Sequence, residues 1–360
     1  MSAIVEANAL PALAEMLHSP FADSAELAAL ALGNVAGEST VLRDAVVRTG
    51  AVEGVAAALA EHAGADVPRS FAAHGAWALA AMFRGTPRPP APVLRPALGV
   101  LVRLAGDEHA ETAESAAWAL AFYTDGGADV ADVVAAGAVP AAVALLDRGE
   151  AALDVPAARL LANVACGDAD AGTALVEAGA LPRACALLED ARAAVRREAC
   201  WMLANVAAGP SAHAEAVAGE GGLVPRLVAV ALCDAETPAV RTEAHFALAN
   251  LLLCVGDAAA AQLAHTQHYL RALAHNAVLG DDTAEAFVRA LARAQAVLER
   301  PGSFEAANRT FAALLADSGA DDVLRTIRAP ELQDTIHKIL SSLETETSTA
   351  PHLGSLDDIE

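Results

Sequence analysis

The sequence predicts an all-α fold, a solenoid of stacked three-helix repeats, from three observations. The first is a leucine that returns along the chain as Leu32, Leu79, Leu120, Leu161, Leu203, Leu248 and Leu291, at steps of 47, 41, 41, 42, 45 and 43 residues. A period of roughly 40 residues is that of helical repeat arrays, whose units bury their apolar faces only by stacking. The second is composition: 55% hydrophobic but only 4% aromatic residues suits closely packed Ala- and Leu-rich helices. The third is a recurrent helix start, seen in Gly50-Ala51-Val52, Gly137-Ala138-Val139-Pro140, Gly179-Ala180-Leu181-Pro182 and Gly222-Leu223-Val224-Pro225. A Pro early in a helix costs nothing, because its missing N–H would be unpaired there anyway.

The leucine helix is clearest from Glu198 to Gly209, a run of good helix formers ending on a Gly. At about 3.6 residues per turn, Glu198, Trp201 and Asn205 share one face and Leu203 points roughly 200° away from Trp201. The leucine column does not vary and is therefore the core. Two residues earlier the column reads Leu30, Trp77, Trp118, Arg159, Trp201, Phe246 and Arg289. An unpaired Arg is rarely buried, so that column faces solvent and its Trp residues line a surface. Four residues further on come Asn34, Ala81, Phe122, Asn163, Asn205, Asn250 and Arg293. Each repeat holds a short helix, a second helix and the leucine helix, a three-helix unit of armadillo type and not the two-helix unit of HEAT or tetratricopeptide arrays.

In chain order, the first segment enters in mid-repeat, with Asn8-Ala9-Leu10-Pro11 opening a second-position helix. Pro87, Pro89, Pro90 and Pro92 mark an extended connection between Arg84 and Pro96. Armadillo repeats are assigned to residues 1–300. Pro301-Gly302 ends them, and residues 301–343 carry two capping helices, near Phe304–Leu315 and Glu331–Leu343. Residues 344–360, acidic and Ser/Thr-rich, read as a disordered tail.

Charge and motifs limit the function. With 23 basic and 46 acidic residues the net charge is −23, which repels nucleic acid and anionic membranes and attracts basic partners. Binding of such partners is expected to weaken as salt rises. Five cysteines without a CxxC spacing suit a reducing compartment, and no signal peptide or membrane-length apolar run is present. His265-Thr266-Gln267-His268 lacks a Cys or acidic neighbour and reads as a polar loop, so no metal or other cofactor is expected. Nucleotide-binding Gly loops, nucleophile elbows and zinc-protease motifs are absent, and an enzyme is not expected.

The motifs resemble those of importin-α, the adaptor of nuclear-import cargo. Ala31-Leu32-Gly33-Asn34-Val35-Ala36-Gly37-Glu38 is similar to its Trp-Ala-Leu-Gly-Asn-Val-Ala-Gly-Asp helix, with Leu30 in place of the Trp. Trp77-Ala78-Leu79 with Arg84-Gly85, Trp118-Ala119-Leu120-Ala121-Phe122, Arg159 with Asn163, Glu198–Gly209, and Glu243 with Phe246 and Asn250 follow in the family's order, over about residues 4–343.

The resemblance implies a right-handed superhelical armadillo solenoid whose concave groove binds Lys/Arg-rich nuclear localisation signals of cargo. Asn amides would hold the peptide backbone, Trp faces would flank the cationic stems, and carboxylates would stand at the slot mouths. The second-half groove, Arg159, Asn163, Glu198, Trp201, Asn205, Glu243, Phe246 and Asn250, is expected to be the better preserved. The first-half groove keeps Asn34, Glu38, Trp77 and Trp118, but Leu30 and Ala81 leave it without a complete Trp/Asn rung, and it reads as degraded. Partners would include the importin-α export receptor. Importin-β is not expected through this chain, since no basic segment precedes the first repeat. Cytoplasm and nucleus are the expected locations. The alternative is an armadillo scaffold that has lost transport and binds other proteins.

Overall fold

A computed structural model describes residues 7–62, 69–127, 129–300 and 310–349. Those residues are helices and connections without a strand. The chain divides into two compact units, Met1–Val206 and Ala207–Glu360.

In the first unit a pair of helices, Leu10–Met16 and Ala22–Glu38, precedes three-helix repeats. These are Thr40–Val47, Ala51–Glu61 and Arg69–Phe83, then Val130–Ala135, Ala138–Asp147 and Ala151–Ala165, then Ala169–Glu177, Ala180–Leu187 and Ala193–Ala207. Between them lies a repeat whose first helix is reduced. The Pro-rich connection is extended only as far as Pro90, after which Ala91–Leu94 and the 3₁₀ turn Arg95–Ala97 lead into Leu98–Ala105 and Ala110–Tyr123. A Pro in the first turn permits this shortened helix.

The predicted helix starts follow one backbone device. Gly50, Gly137, Gly179 and Gly222 all sit at the N-cap with φ between 80° and 89°, the left-handed region that lets the chain reverse within one residue.

The leucine column is the core. Leu32, Leu79, Leu120, Leu161 and Leu203 in the first unit, and Leu248 and Leu291 in the second, are all 0% exposed. The column two residues earlier contains no buried member.

The second unit repeats the plan with Ser211–Gly219, Leu223–Leu232 and Pro238–Cys254, then Asp257–His265, Tyr269–Asn276 and Asp281–Leu298. Its last three helices, Phe311–Ser318, Ala320–Thr326 and Gln333–Thr349, differ from the expected pair. Gly319 at φ 69° opens the middle one, the same device as at Gly50, so a third set of three helices ends the unit. The signal, Gly319-Ala320, was present in the sequence. The final helix runs to Thr349 and takes in part of the segment expected to be disordered. Pro301-Gly302, residues 304–309 of the first expected capping helix, and the rest of the tail lie outside the described residues.

Polar side chains tie neighbouring repeats together, some of them through carbonyls that helix ends leave unbonded. Arg43, 1% exposed, donates to the carbonyls of Arg84 and Gly85 at 2.8 and 3.1 Å and of Pro87 at 2.6 Å, beyond the end of the Arg69–Phe83 helix. In the second unit Asn276 donates to the Ala231 carbonyl at 2.7 Å, and the buried Tyr269 hydroxyl donates to the Leu248 carbonyl at 2.6 Å. His245, fully buried, donates through Nε2 to the Thr283 carbonyl at 2.9 Å. Burial pulls its pKa from the ordinary 6.5 down to about 4.

Two predictions follow from this packing. At Gly33 an added Cβ would lie 2.7 Å from Trp77 Cζ3 and 2.9 Å from the Ala78 Cα. Gly33→Ala is therefore expected to destabilise the first unit by about 1–3 kcal/mol, although Ala is the better helix former. Denaturant unfolding followed by Trp fluorescence measures this, since Trp77, Trp118 and Trp201 all lie in that unit. His245 is neutral when folded, while the unfolded chain takes up a proton below about pH 6.5. Stability of the second unit should thus be full above that pH and fall by up to about 1.4 kcal/mol per unit as pH drops toward 4. Hydrogen exchange in Pro238–Cys254 reads the loss, and His245→Gln should flatten it.

Candidate peptide groove

The Trp, Asn and Glu residues stand on the longest helices of the repeats. In the first unit, three of these helices, Ala22–Glu38, Arg69–Phe83 and Ala110–Tyr123, wall a cavity of about 590 Å³. Asn34, Glu38, Trp77, Trp118, Phe122 and Arg84 line it. Gly33 lets the Trp77 indole lie against its backbone, and Trp77 remains 38% exposed. Trp118 stacks on Phe122, ring centroids 5.5 Å apart and planes within 22°. Ala81 takes the next place in the amide column, and its small side chain forms part of the wall. Asn34 is exposed, and its amide nitrogen donates to the Leu30 carbonyl at 3.0 Å. The group expected to be degraded is thus brought together around one open space.

Three residues of the second-half expectation are placed differently. Asn163 is 0% exposed, and its amide donates back one repeat, to the Ala121 carbonyl at 2.9 Å and the Thr124 hydroxyl at 3.2 Å. It ties repeats together and does not present an amide at the surface. Glu198 is 2% exposed and does not stand at a slot mouth. Arg159 grips its carboxylate with two bonds, Nε–Oε2 at 2.6 Å and Nη2–Oε1 at 2.5 Å, and Arg197 lies 3.8 Å from it. The Arg159 guanidinium also lies 5.8 Å from the Trp201 ring centroid, so a cation from the chain itself sits at the ring that the sequence assigned to a ligand's cation. Hydrogen bonding to Glu198 raises the Arg159 pKa further and keeps it charged.

Asn205 is half-buried and donates to the Trp201 carbonyl at 3.0 Å, as Asn34 does to Leu30. Glu243, Phe246 and Asn250 belong to the second unit, half-buried on one face of Pro238–Cys254. The His245 ring meets Phe246 edge-on at 5.9 Å. The pairing of Arg159 with Glu198 had a sequence signal, a leucine-helix Arg one repeat before a Glu, but only the packing joins them.

Comparisons with known proteins bear on the fold. The family pattern described as Armadillo/beta-catenin-like repeat matches residues 2–37 and 173–208, and a HEAT-like repeat matches residues 69–123. The HEAT-like match spans the repeat whose first helix is reduced, which leaves nearly a two-helix unit. An engineered protein of known structure superposes with a TM-score of 0.68 at 28% identity, covering 95% of this chain and 90% of that one. A designed armadillo repeat protein solved in complex with the peptide (KR)4 gives 0.59 at 26% identity, over 67% of this chain and 99% of that one. The fold is thus that of an armadillo-repeat solenoid.

Among named relatives, importin subunit alpha-1b of Oryza sativa subsp. japonica is 36% identical over 166 residues, 46% of this chain and 30% of that protein. Importin subunit alpha-2 of Arabidopsis thaliana is 38% identical over 146 residues, 40% of this chain and 26% of that one. The chain is similar to these importin alpha subunits over less than half of its own length and spans less than a third of theirs. Among the described residues, no helix is long and apolar enough to cross a membrane.

Removing one partner of a buried ion pair leaves an uncompensated charge. Arg159→Ala should therefore cost about 3 kcal/mol, the low end for such a pair because Arg159 is itself part-exposed. Adding Glu198→Gln should restore most of the loss. A double-mutant cycle of unfolding midpoints checks both.

Proposed function

We propose that the chain is an adaptor that binds linear Lys/Arg-rich peptides, and that they lie in the cavity between Trp77 and Trp118. The observation that carries this reading is the open cavity lined by Asn34, Glu38, Trp77 and Trp118. An extended peptide has unpaired backbone groups at every residue, and Asn34 offers an amide to one of them. The aliphatic stems of Lys or Arg pack along the indoles while the charge meets the ring faces. Glu38 and the net charge of −23 favour a basic ligand. The likeness to importin alpha subunits of rice and Arabidopsis supports cargo of nuclear import as the source of such peptides, with cytoplasm and nucleus as the places of action and an export receptor as a further partner. The (KR)4 peptide of the designed armadillo protein supports the basic-peptide chemistry.

The site lies in the first half because Arg159 already covers Trp201, and Asn163 and Glu198 are buried. Trp77→Ala is therefore expected to weaken binding of a fluorescent Lys/Arg-rich peptide by at least about tenfold, from lost cation–π attraction and stem burial. Trp201→Ala with Asn205→Ala should change it by less than about threefold. Affinity should also fall as salt rises to physiological strength. Full binding by Trp77→Ala and none by the Trp201/Asn205 double variant would move the site to the second half.

A further inference from the structure

The cavity offers a cation many ring faces and few hydrogen-bond acceptors. Trp118 and Phe122 stack into one aromatic wall, and Trp77, seated on Gly33, supplies a third ring. The amide column is thin here: after Asn34 come Ala81 and Phe122, both in the lining. Glu38 and Arg84 contribute one formal charge of each sign, so the charges in the lining balance. A cationic head entering here meets three rings, with Glu38, Asn34 and Ser115 as the side-chain acceptors of the lining.

Ring faces discriminate between cations by hydration. A primary ammonium brings three N–H donors, and each one stripped of water without a new acceptor costs free energy. A trimethylammonium carries the same charge, has no donor to satisfy and presents methyl surface to the indoles. Aromatic cages recognise quaternary ammonium groups for this reason.

We infer that the Trp77–Trp118–Phe122 cavity is a cage for quaternary ammonium groups, and that its preferred occupant is trimethylated lysine in a linear peptide. The inference rests on the basic-peptide reading above and names the side chain that the site selects.

Three fluorescein-labelled peptides of one arginine-free sequence, carrying lysine, trimethyllysine or norleucine at every cationic position, are titrated against the full chain. The trimethyllysine peptide is expected to bind about threefold more tightly than the lysine peptide, and the norleucine peptide at least about tenfold more weakly than either. Trp118→Leu should abolish the preference for methylation; should that variant fail to fold, Trp77→Ala serves in its place. A trimethyllysine peptide weaker than or equal to the lysine peptide overturns the inference and leaves the basic-peptide reading standing. Norleucine binding as tightly as trimethyllysine also overturns it, since apolar area alone would then explain binding. A preference that survives in the Trp variant overturns the location. Failure of all three peptides removes both readings.

Discussion

The approach of neighbouring leucine helices is the constraint on which the rest of the first unit depends. Gly33 has no room for a Cβ, because the Trp77 ring and the backbone of Ala78 already fill that place. Ala28, Ala76, Ala116 and Ala157, all fully buried, provide the same small surfaces elsewhere on these helices. Small residues bring the backbones close, and the leucines are then fully buried, each contributing about 1.5–3 kcal/mol. Close approach also fixes the surface. A Trp on the next helix cannot sink between the two, and Trp77 is held against Gly33, 38% exposed. The aromatic surface is thus a consequence of how tightly the core is packed.

Tight stacking leaves polar groups where repeats meet, and the chain satisfies them with side chains from the adjacent repeat. Arg43 serves the carbonyls after Phe83, Arg103 donates to the Leu59 carbonyl at 3.1 Å, and Arg148 donates to those of Asp107 and Glu108. Asn163, Asn276 and His245 do the same from buried positions. An unmade bond in the interior costs more than a made bond contributes, so these residues act chiefly by preventing a loss. They also set register, since each reaches a particular carbonyl roughly one repeat away.

The contrast between core and site shows which physical information a sequence carries. The leucine column was legible because burial is a one-body property: the same residue returns at each period, and the Arg residues in the neighbouring column rule out burial there. The glycine starts were legible because a left-handed residue favours Gly whatever surrounds it. His268, at φ 63°, takes that conformation without a Gly, and its turn carried no such mark. The fates of Asn163 and Glu198 depend on pairs. Asn34, Asn163 and Asn205 occupy one column, yet the first and last donate within their own helices and Asn163 to the Ala121 carbonyl and the Thr124 hydroxyl of the preceding repeat. Glu198 is buried because Arg159, 39 residues earlier, reaches it. A column alignment averages over such pairs and cannot see them.

That pairing bears on how a repeat protein distributes its binding strength. A column position occupied by Trp offers a face, whereas one occupied by Arg offers a cation. When Arg precedes Trp by one repeat, as Arg159 precedes Trp201, the chain meets its own demand and the face closes to other cations. When Trp precedes Trp, as Trp77 precedes Trp118, two faces remain and the space between them stays open. Position in the column alone does not close a slot. Arg289 shares the column but pairs within its own helix with Glu285, at 3.5 Å, and stays largely exposed. A buried carboxylate on the following repeat makes the difference, since it holds Arg159 over the ring. The order of Trp, Arg and Glu along the leucine helices therefore decides which indoles are covered by a cation of the chain itself.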